Sequence, residues 1–186
     1  MHAVHASRED LVQDLLGRAA PAAPEPLRPI FASLLAGRAL GKGVLSARLG
    51  LDDADFQVLW TDYFPGTRLV LQDGPGQDIA ELDDLYHLLL EYRAHRVQSE
   101  VWLARILAYA CCGRDHLWQD LGLAQRGELS TLMNTAFPAL AQLNSADMKW
   151  KKFIYRHYCT REGIYVCPAP SCSACTDYGK CFAPED

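Results

Sequence analysis

The chain has 186 residues, 49% of them hydrophobic, and a formal net charge of −5. This length is enough for one domain with a well-buried core, and the moderate charge excludes a disordered or fibrous chain. The acidic balance also disfavours nucleic acid as the main partner. No run reaches the roughly 20 apolar residues that a membrane helix needs, because Arg105 interrupts the most apolar stretch, residues 101–112.

The start of the chain argues against secretion. It turns acidic at Glu9 and Asp10, where a secretory signal would have a basic start followed by an apolar stretch. We therefore expect a cytoplasmic protein. In that reducing compartment the seven cysteines are expected to be metal ligands or core thiols and not disulfide partners.

Apolar residues at helical spacing predict three helices in the first half, over residues 8–20, 27–40 and 53–64. Ser7, with Asp10 three residues later, has the capping-box pattern of a helix start. Proline and glycine end the three helices, at Pro21, at residues 41–43 and at Pro65. The inward positions of the second and third helices are Ile30, Phe31, Leu34, Leu35, Phe56, Leu59, Trp60 and Phe64.

Four further helices are predicted in the second half, over residues 79–92, 99–112, 129–143 and 148–158. The helix over residues 99–112 is apolar on nearly all faces, so it is expected to be central, and Gly113 stands where a C-cap glycine belongs. The next helix is expected to be kinked at Pro138. No two strand patterns are joined by a hairpin turn, so the predicted fold class is all-α.

Four of the seven cysteines fall near the C-terminus in a C-x4-C-x2-C-x5-C pattern, here called the cysteine array: Cys167, Cys172, Cys175 and Cys181. Four thiolates on short loops can converge on one soft centre, which is zinc, copper(I) or an iron–sulfur cluster. We therefore divide the chain into a single helical domain, residues 1–160, and a C-terminal cysteine-rich metal-binding loop within residues 161–186.

The spacing of the cysteine array leaves the identity of the metal open. A plant-type ferredoxin also begins C-x4-C-x2-C, although its fourth ligand is distant in the chain. The alternative is a structural zinc site, which stabilises a segment too small to fold alone but usually pairs two knuckles a dozen or more residues apart. Free or disulfide-linked thiols are the third possibility.

The predicted helix ahead of the array, residues 148–158, is locally basic. Most of its lysines are expected to point outward, as a positive collar that attracts an oxoanion, a cluster or an acidic partner, or as an ordinary solvated face. The residues expected to share its inward face are Trp150, Phe153, Ile154 and His157.

Three residues outside the array are candidate auxiliary metal ligands: Cys159, His116 and His157. For each, the alternative is packing or hydrogen bonding, which is the commoner role of single residues of these types. Cys111 and Cys112 lie in the most apolar predicted helix, so burial explains them.

The sequence argues against ordinary enzyme chemistry. No pair of carboxylates and no Ser/His/Asp grouping stands out as catalytic. Residues 37–43 superficially suggest a phosphate loop, but one intervening residue is missing and Gly43 stands where a Ser or Thr would hold magnesium.

Five segments of the chain form a recognisable combination. They are Tyr63–Pro65, residues 116–123 (HLWQDLGL), Phe137–Pro138, residues 148–153 (MKWKKF) and the stretch from Cys167 to Phe182. Together these segments resemble the NifQ family of nitrogen-fixation proteins. The first sixty residues match less distinctively, so their role stays open.

The resemblance implies a non-enzymatic carrier that supplies molybdenum for the iron–molybdenum cofactor of nitrogenase. It also implies an iron–sulfur cluster able to incorporate molybdenum, with Cys167, Cys172, Cys175 and Cys181 as ligands. The implied partners are molybdate or a molybdenum-storage source, the cofactor-assembly scaffold and the nitrogenase reductase, without nucleic acid or membrane.

Two functions from other classes stay open at this point, a zinc-stapled helical interaction module and a small iron–sulfur electron-transfer protein. For the carrier, we hypothesise that thiolates hold the iron atoms while molybdenum keeps exchangeable positions. A fourth thiolate, His157 or small oxygen ligands would fill those positions.

Overall fold

The computed structural model describes residues 6–19, 21, 25–75 and 82–163. Within these ranges the chain is helical and contains no strand, which confirms the predicted fold class for that part. None of the helices described has the length and apolar character of a bilayer-spanning segment. The helices are α1 (Arg8–Gly17), α2 (Arg28–Ala39), α3 (Asp53–Tyr63), α4 (Leu82–Glu91), α5 (Ser99–Cys111), α6 (Leu117–Asp120), α7 (Arg126–Ala136), α8 (Pro138–Leu143) and α9 (Trp150–Glu162).

The predicted capping box at the start of α1 is confirmed. Ser7 Oγ accepts a hydrogen bond from the backbone N–H of Asp10, whose carboxylate accepts one from the N–H of Ser7. The helix ends at Gly17, about one turn before the predicted end, and packs against α2. Arg28, the first residue of α2, donates to the carbonyls of Leu15 and Arg18, so a side chain of α2 satisfies the open end of α1.

The core is centred on α5, as predicted, and α4 packs along it. Trp102 of α5 meets Phe31 of α2 and Tyr63 of α3 edge-on, with ring centroids 6.3 and 5.6 Å away. Such T-shaped contacts are favoured by the aromatic quadrupole, and they join three helices at one point. The predicted inward residues of α2 and α3 are all buried in this core.

The glycine-rich loop after α2 is a packing element. The guanidinium of Arg38, 1% exposed, donates to the carbonyls of Gly43 and Gln72. Gly43 has a φ of 78°, and a Cβ there would overlap the backbone carbonyl of Asp120 at the end of α6. Because its backbone contacts are internal, this loop is not a phosphate loop, in agreement with the sequence.

Pro138 starts a helix and does not kink one, so that prediction was wrong. Phe137, with φ −132° and ψ 53°, separates α7 from α8, and Pro138 is the first residue of α8. Proline is well tolerated at this position because the first helical N–H has no partner within the helix.

Gly113 directly follows the C-cap of α5, at the predicted position, but it does not have the left-handed conformation that is common for a glycine there. Cys112 ends α5, and Gly113 is absent from the residues with positive φ in the described chain. A Cβ on Gly113 would instead overlap the side-chain carboxyl group of Asp120. Glycine is needed here for close packing against a carboxylate and not for backbone conformation.

The remaining helix boundaries differ from the predictions only at their ends. Leu82 is the first described residue of α4, so the predicted start at residue 79 lies outside the described part. The last helix begins at Trp150 and continues to Glu162, about one turn beyond its predicted end. The single-turn helix α6 was not predicted.

Candidate functional site

The four residues of the cysteine array lie outside the described residues. Within the described ranges, no three His, Cys, Asp or Glu side chains form a group that could hold a metal ion. The structure does show how α9, the helix that leads to the array, is attached to the helical core.

A buried ion pair attaches the first turn of α9. Lys151 Nζ donates to the carboxylate of Asp120 and to the carbonyls of Gly113, at 3.0 Å, and Asp115, at 2.6 Å. Lys151 is 7% exposed and Asp120 is 1% exposed. Lys151 is therefore an exception to the expectation that most lysines of this helix point outward, since its three donors are all satisfied inside the protein.

The same ion pair joins two of the segments that carry the family resemblance. Asp120 belongs to residues 116–123 and Lys151 to residues 148–153. Burial raises the pKa of the Asp120 carboxyl group, and the positive charge of Lys151 opposes that rise. Because Asp120 Oδ1 is buried without a hydrogen bond, the negative charge of the carboxylate is balanced mainly by Lys151.

Tyr155 and Cys159 follow Lys151 at intervals of four residues, so the three side chains form one stripe of α9 that faces the core. Tyr155 Oη donates to the carbonyl of Cys111 at 3.4 Å and lies 3.9 Å from Cys112 Sγ. Cys111, Cys112 and Cys159 are all buried, as predicted. Burial raises the pKa of the Cys111 thiol to about 12, which keeps it protonated and a poor metal ligand at neutral pH.

His157 lies half-buried between two aromatic rings. Its Nε2 is 2.8 Å from Tyr92 Oη, at hydrogen-bond distance. The imidazole stacks on Phe153, with centroids 5.9 Å apart and planes 21° apart, and meets Tyr92 edge-on at 5.3 Å. Burial, and secondly the charge of Arg161, lower the pKa of His157, so the imidazole is neutral at physiological pH.

His116 has a different environment. It is the N-cap residue of α6, its side chain is exposed, and its backbone N–H donates to Gln119 Oε1 at 3.3 Å. No described group that could hold a metal includes either His116 or His157.

Two carboxylates of α4 bind side chains of α9, and one of them neutralises a positive charge. Arg161 forms an ion pair with Glu91, and its Nη2 lies 3.0 Å from Glu91 Oε1. Tyr158 Oη donates to Asp84 at 2.8 Å. With Lys151 buried and Arg161 paired, the exposed charge of α9 is smaller than the sequence suggested.

The chain matches a known protein family over most of its length. A family model described as NifQ matches residues 30–183, a range that includes all four cysteines of the array. The chain belongs to the NifQ family. The resemblance inferred from the motif segments is thereby confirmed.

Individual NifQ proteins are similar over most of their length. Protein NifQ of Rhodobacter capsulatus is 39% identical over 162 residues, which cover 87% of this chain and 90% of the relative. Protein NifQ of Azotobacter vinelandii is 37% identical over 160 residues, 78% of this chain and 82% of the relative. Protein NifQ of Klebsiella pneumoniae is 35% identical over 156 residues, 76% of this chain and 90% of the relative. No solved structure matches the chain.

Proposed function

We propose that this NifQ protein is a cytoplasmic, non-enzymatic carrier of molybdenum for nitrogenase cofactor biosynthesis. Its cargo is an iron–sulfur cluster that incorporates molybdenum, held by Cys167, Cys172, Cys175 and Cys181. The observation that carries the proposal is the family match, whose range includes the whole array. Thiolates are suitable donors, because soft sulfur ligands select iron–sulfur clusters over hard cations.

The described structure supports different roles for the helical core, which holds the helix that leads to the array, and for the array, which holds the cargo. The helix α9 is attached to the core at Lys151, at Tyr155 and at Arg161, along its whole length. Gly163, with a φ of 68°, ends the helix four residues before Cys167. In the sequence, the array therefore begins four residues after the end of a helix that is attached to the core.

As a carrier, the protein takes molybdenum from molybdate or a storage source and delivers it to the cofactor-assembly scaffold, together with the nitrogenase reductase. The thiolates hold the iron atoms, and molybdenum keeps positions that can exchange. Metal transfer then requires ligand exchange at the array and leaves the buried core unchanged, since no core residue is among the four proposed thiolate ligands.

Anaerobic reconstitution with iron, sulfide and molybdate tests the proposal. The native chain should turn brown, show visible absorption that dithionite bleaches, and bind iron and molybdenum by elemental analysis. Cys172→Ala should lose most of both metals. Cys112→Ala, a cysteine change outside the array, should retain them.

Two outcomes would contradict the carrier. A colourless protein that holds one zinc per chain would identify the interaction module. A stable cluster that keeps its molybdenum after mixing with the cofactor-assembly scaffold would favour electron transfer over delivery.

A further inference from the structure

The connection between α3 and α4 contains a stretch of extended chain. Residues 68–71, here called the extended segment, run without a turn or a helical residue. Leu69 and Leu71 are half-buried and pack against the helical core, whereas Val70 between them is 88% exposed. This alternation of buried and exposed side chains has the period of two that is typical of a β-strand.

Both ends of the extended segment are anchored to the core. On one side, Arg18 Nη1 donates to the carbonyl of Thr67 at 2.8 Å. On the other side, the N–H of Gln72 donates to the carbonyl of Arg38 at 3.2 Å, and the carbonyl of Gln72 accepts from Arg38 Nε at 3.0 Å. The segment is therefore already held extended, so a partner that pairs with it does not have to order it first.

Between these anchors the backbone is unpaired. The N–H and C=O groups of residues 68–71 make no hydrogen bond to any other residue in the described part of the chain. Since Val70 is 88% exposed, its backbone groups are open to solvent. A row of unpaired N–H and C=O groups on an extended chain is a template for a second strand. The partner that fits this surface is therefore itself an extended polypeptide.

The extended segment is complementary to a second copy of itself. A two-fold axis reverses the direction of the chain, so two copies related by it pair as antiparallel strands. Val70 lies near the middle, where apolar side chains of the two copies meet. Arg68, which has no carboxylate partner in the described chain, and the exposed Asp73 lie at opposite ends. The antiparallel arrangement brings the positive end of one copy towards the negative end of the other.

We propose that the extended segment pairs with the same segment of a second copy of this chain, as a two-stranded antiparallel ribbon with the two-fold axis near Val70. The ribbon satisfies the open backbone groups and covers the exposed valine. A ladder of four residues per chain buries less than the roughly 1,200 Å² of a stable interface, so the dimer is weak and forms at high protein concentration. This inference is independent of the proposed function, since it uses neither the array nor a metal.

Sedimentation velocity and amide hydrogen exchange of the native chain, each over a hundredfold range of protein concentration, test the proposal. The average sedimentation coefficient should rise with concentration towards that of a dimer. Over the same range, amide exchange should slow at alternate residues of the extended segment. The alternation is expected because successive N–H groups of a strand point to opposite edges, and only one edge pairs.

Val70→Lys places two like charges close to the two-fold axis, and it changes a side chain that the folded monomer leaves exposed. The dissociation constant of the dimer should increase by about tenfold or more. The control is Leu143→Lys, which adds the same charge at a position of α8 that is 51% exposed and should dimerise as the native chain does. The helical circular dichroism signal verifies that both variants are folded.

Three results would overturn the proposal. The first is a native chain that stays monomeric over the whole range of concentration. The second is a dimer whose amide exchange does not slow within residues 68–71. The third is a dimer that Val70→Lys weakens no more than Leu143→Lys, because the interface would then lie elsewhere. None of these results bears on metal binding, so the proposed function is tested separately.

Discussion

At the scale of single residues, the Lys151–Asp120 pair determines how α9 begins. Both side chains are buried, and Lys151 donates to Asp120 and to two backbone carbonyls. Losing one partner of a buried pair is costly because the other charge stays desolvated. We expect Lys151→Met to lower the free energy of unfolding by about 3 kcal/mol in urea titrations. The control is Arg126→Met, which removes an exposed pair with Asp147 and should cost less than about 1 kcal/mol.

The loss of unfolding free energy in Lys151→Met should depend on pH. The unpaired Asp120 carboxyl group has a folded-state pKa above its unfolded value, so the folded state binds more protons as the pH falls. The stability deficit relative to the native chain should therefore shrink between pH 8 and pH 5. A deficit that is constant or grows over this range would contradict a buried, uncompensated carboxylate.

Gly113 and Gly17 give a matched pair of glycine substitutions. Gly113→Ala places a Cβ in the Asp120 carboxyl group, whereas nothing lies within 4 Å of a Cβ on Gly17. We expect Gly113→Ala to cost about 2 kcal/mol of unfolding free energy, because the carboxylate must move away from Lys151. Gly17→Ala should be neutral or stabilising by about 0.5 kcal/mol. Equal effects in urea titrations would contradict the close packing of Gly113.

At the scale of helices, Arg28 joins the ends of α1 and α3. Its guanidinium donates to the carbonyls of Leu15 and Arg18 and, through Nε at 2.9 Å, to that of Tyr63. A lysine has three donors on one atom and cannot reach these directions together. We expect Arg28→Lys to cost about 1 to 2 kcal/mol, measured by chemical unfolding followed by circular dichroism. Arg48→Lys, which keeps an exposed ion pair with Asp53, is the control and should change stability little.

The helices that the sequence predicted well are those with a sustained apolar period. In α2, α3 and α5 the spacing of apolar residues determines which face is buried, and local residues set the ends. The break at Phe137 was missed because the apolar period continues through it from α7 into α8. The helix α6 has only four residues, too few to show a period.

The contacts that attach α9 were not predictable for a different reason. Lys151 is one of three lysines within four residues, and its partner Asp120 lies 31 positions earlier in the chain. A local pattern cannot tell which lysine turns inward. Tyr92 is 65 positions from His157, so the hydrogen bond that orients the imidazole also had no local signal. The cysteine array could be recognised from the sequence because its four residues are close together along the chain.

At the scale of the whole molecule, the question is whether the helical core folds without metal. The described core contains large, fully buried side chains from several helices, among them Phe31, Leu59 and Tyr155. Small zinc domains unfold without their metal because binding supplies their folding free energy, but this core already buries its own apolar surface. We expect the metal-free native chain and Cys172→Ala to keep the helical circular dichroism spectrum of the loaded protein.

The thermal unfolding midpoints should distinguish a metal that is only cargo from a metal that is a structural component of the fold. If the array only carries its cargo, removal of iron and molybdenum with a chelator should shift the thermal midpoint of the helical signal by a few degrees at most. In that case bound metal stabilises the helical core only through contacts between array and core. Lys151→Met should lower the same midpoint far more, since it removes a buried contact of the core itself. A collapse of helicity on metal removal, larger than the effect of Lys151→Met, would mean that the cluster is a structural component of the fold and that its release requires unfolding. Retained helicity would mean that the protein can give up its metal and be loaded again without refolding, as the proposed carrier role requires.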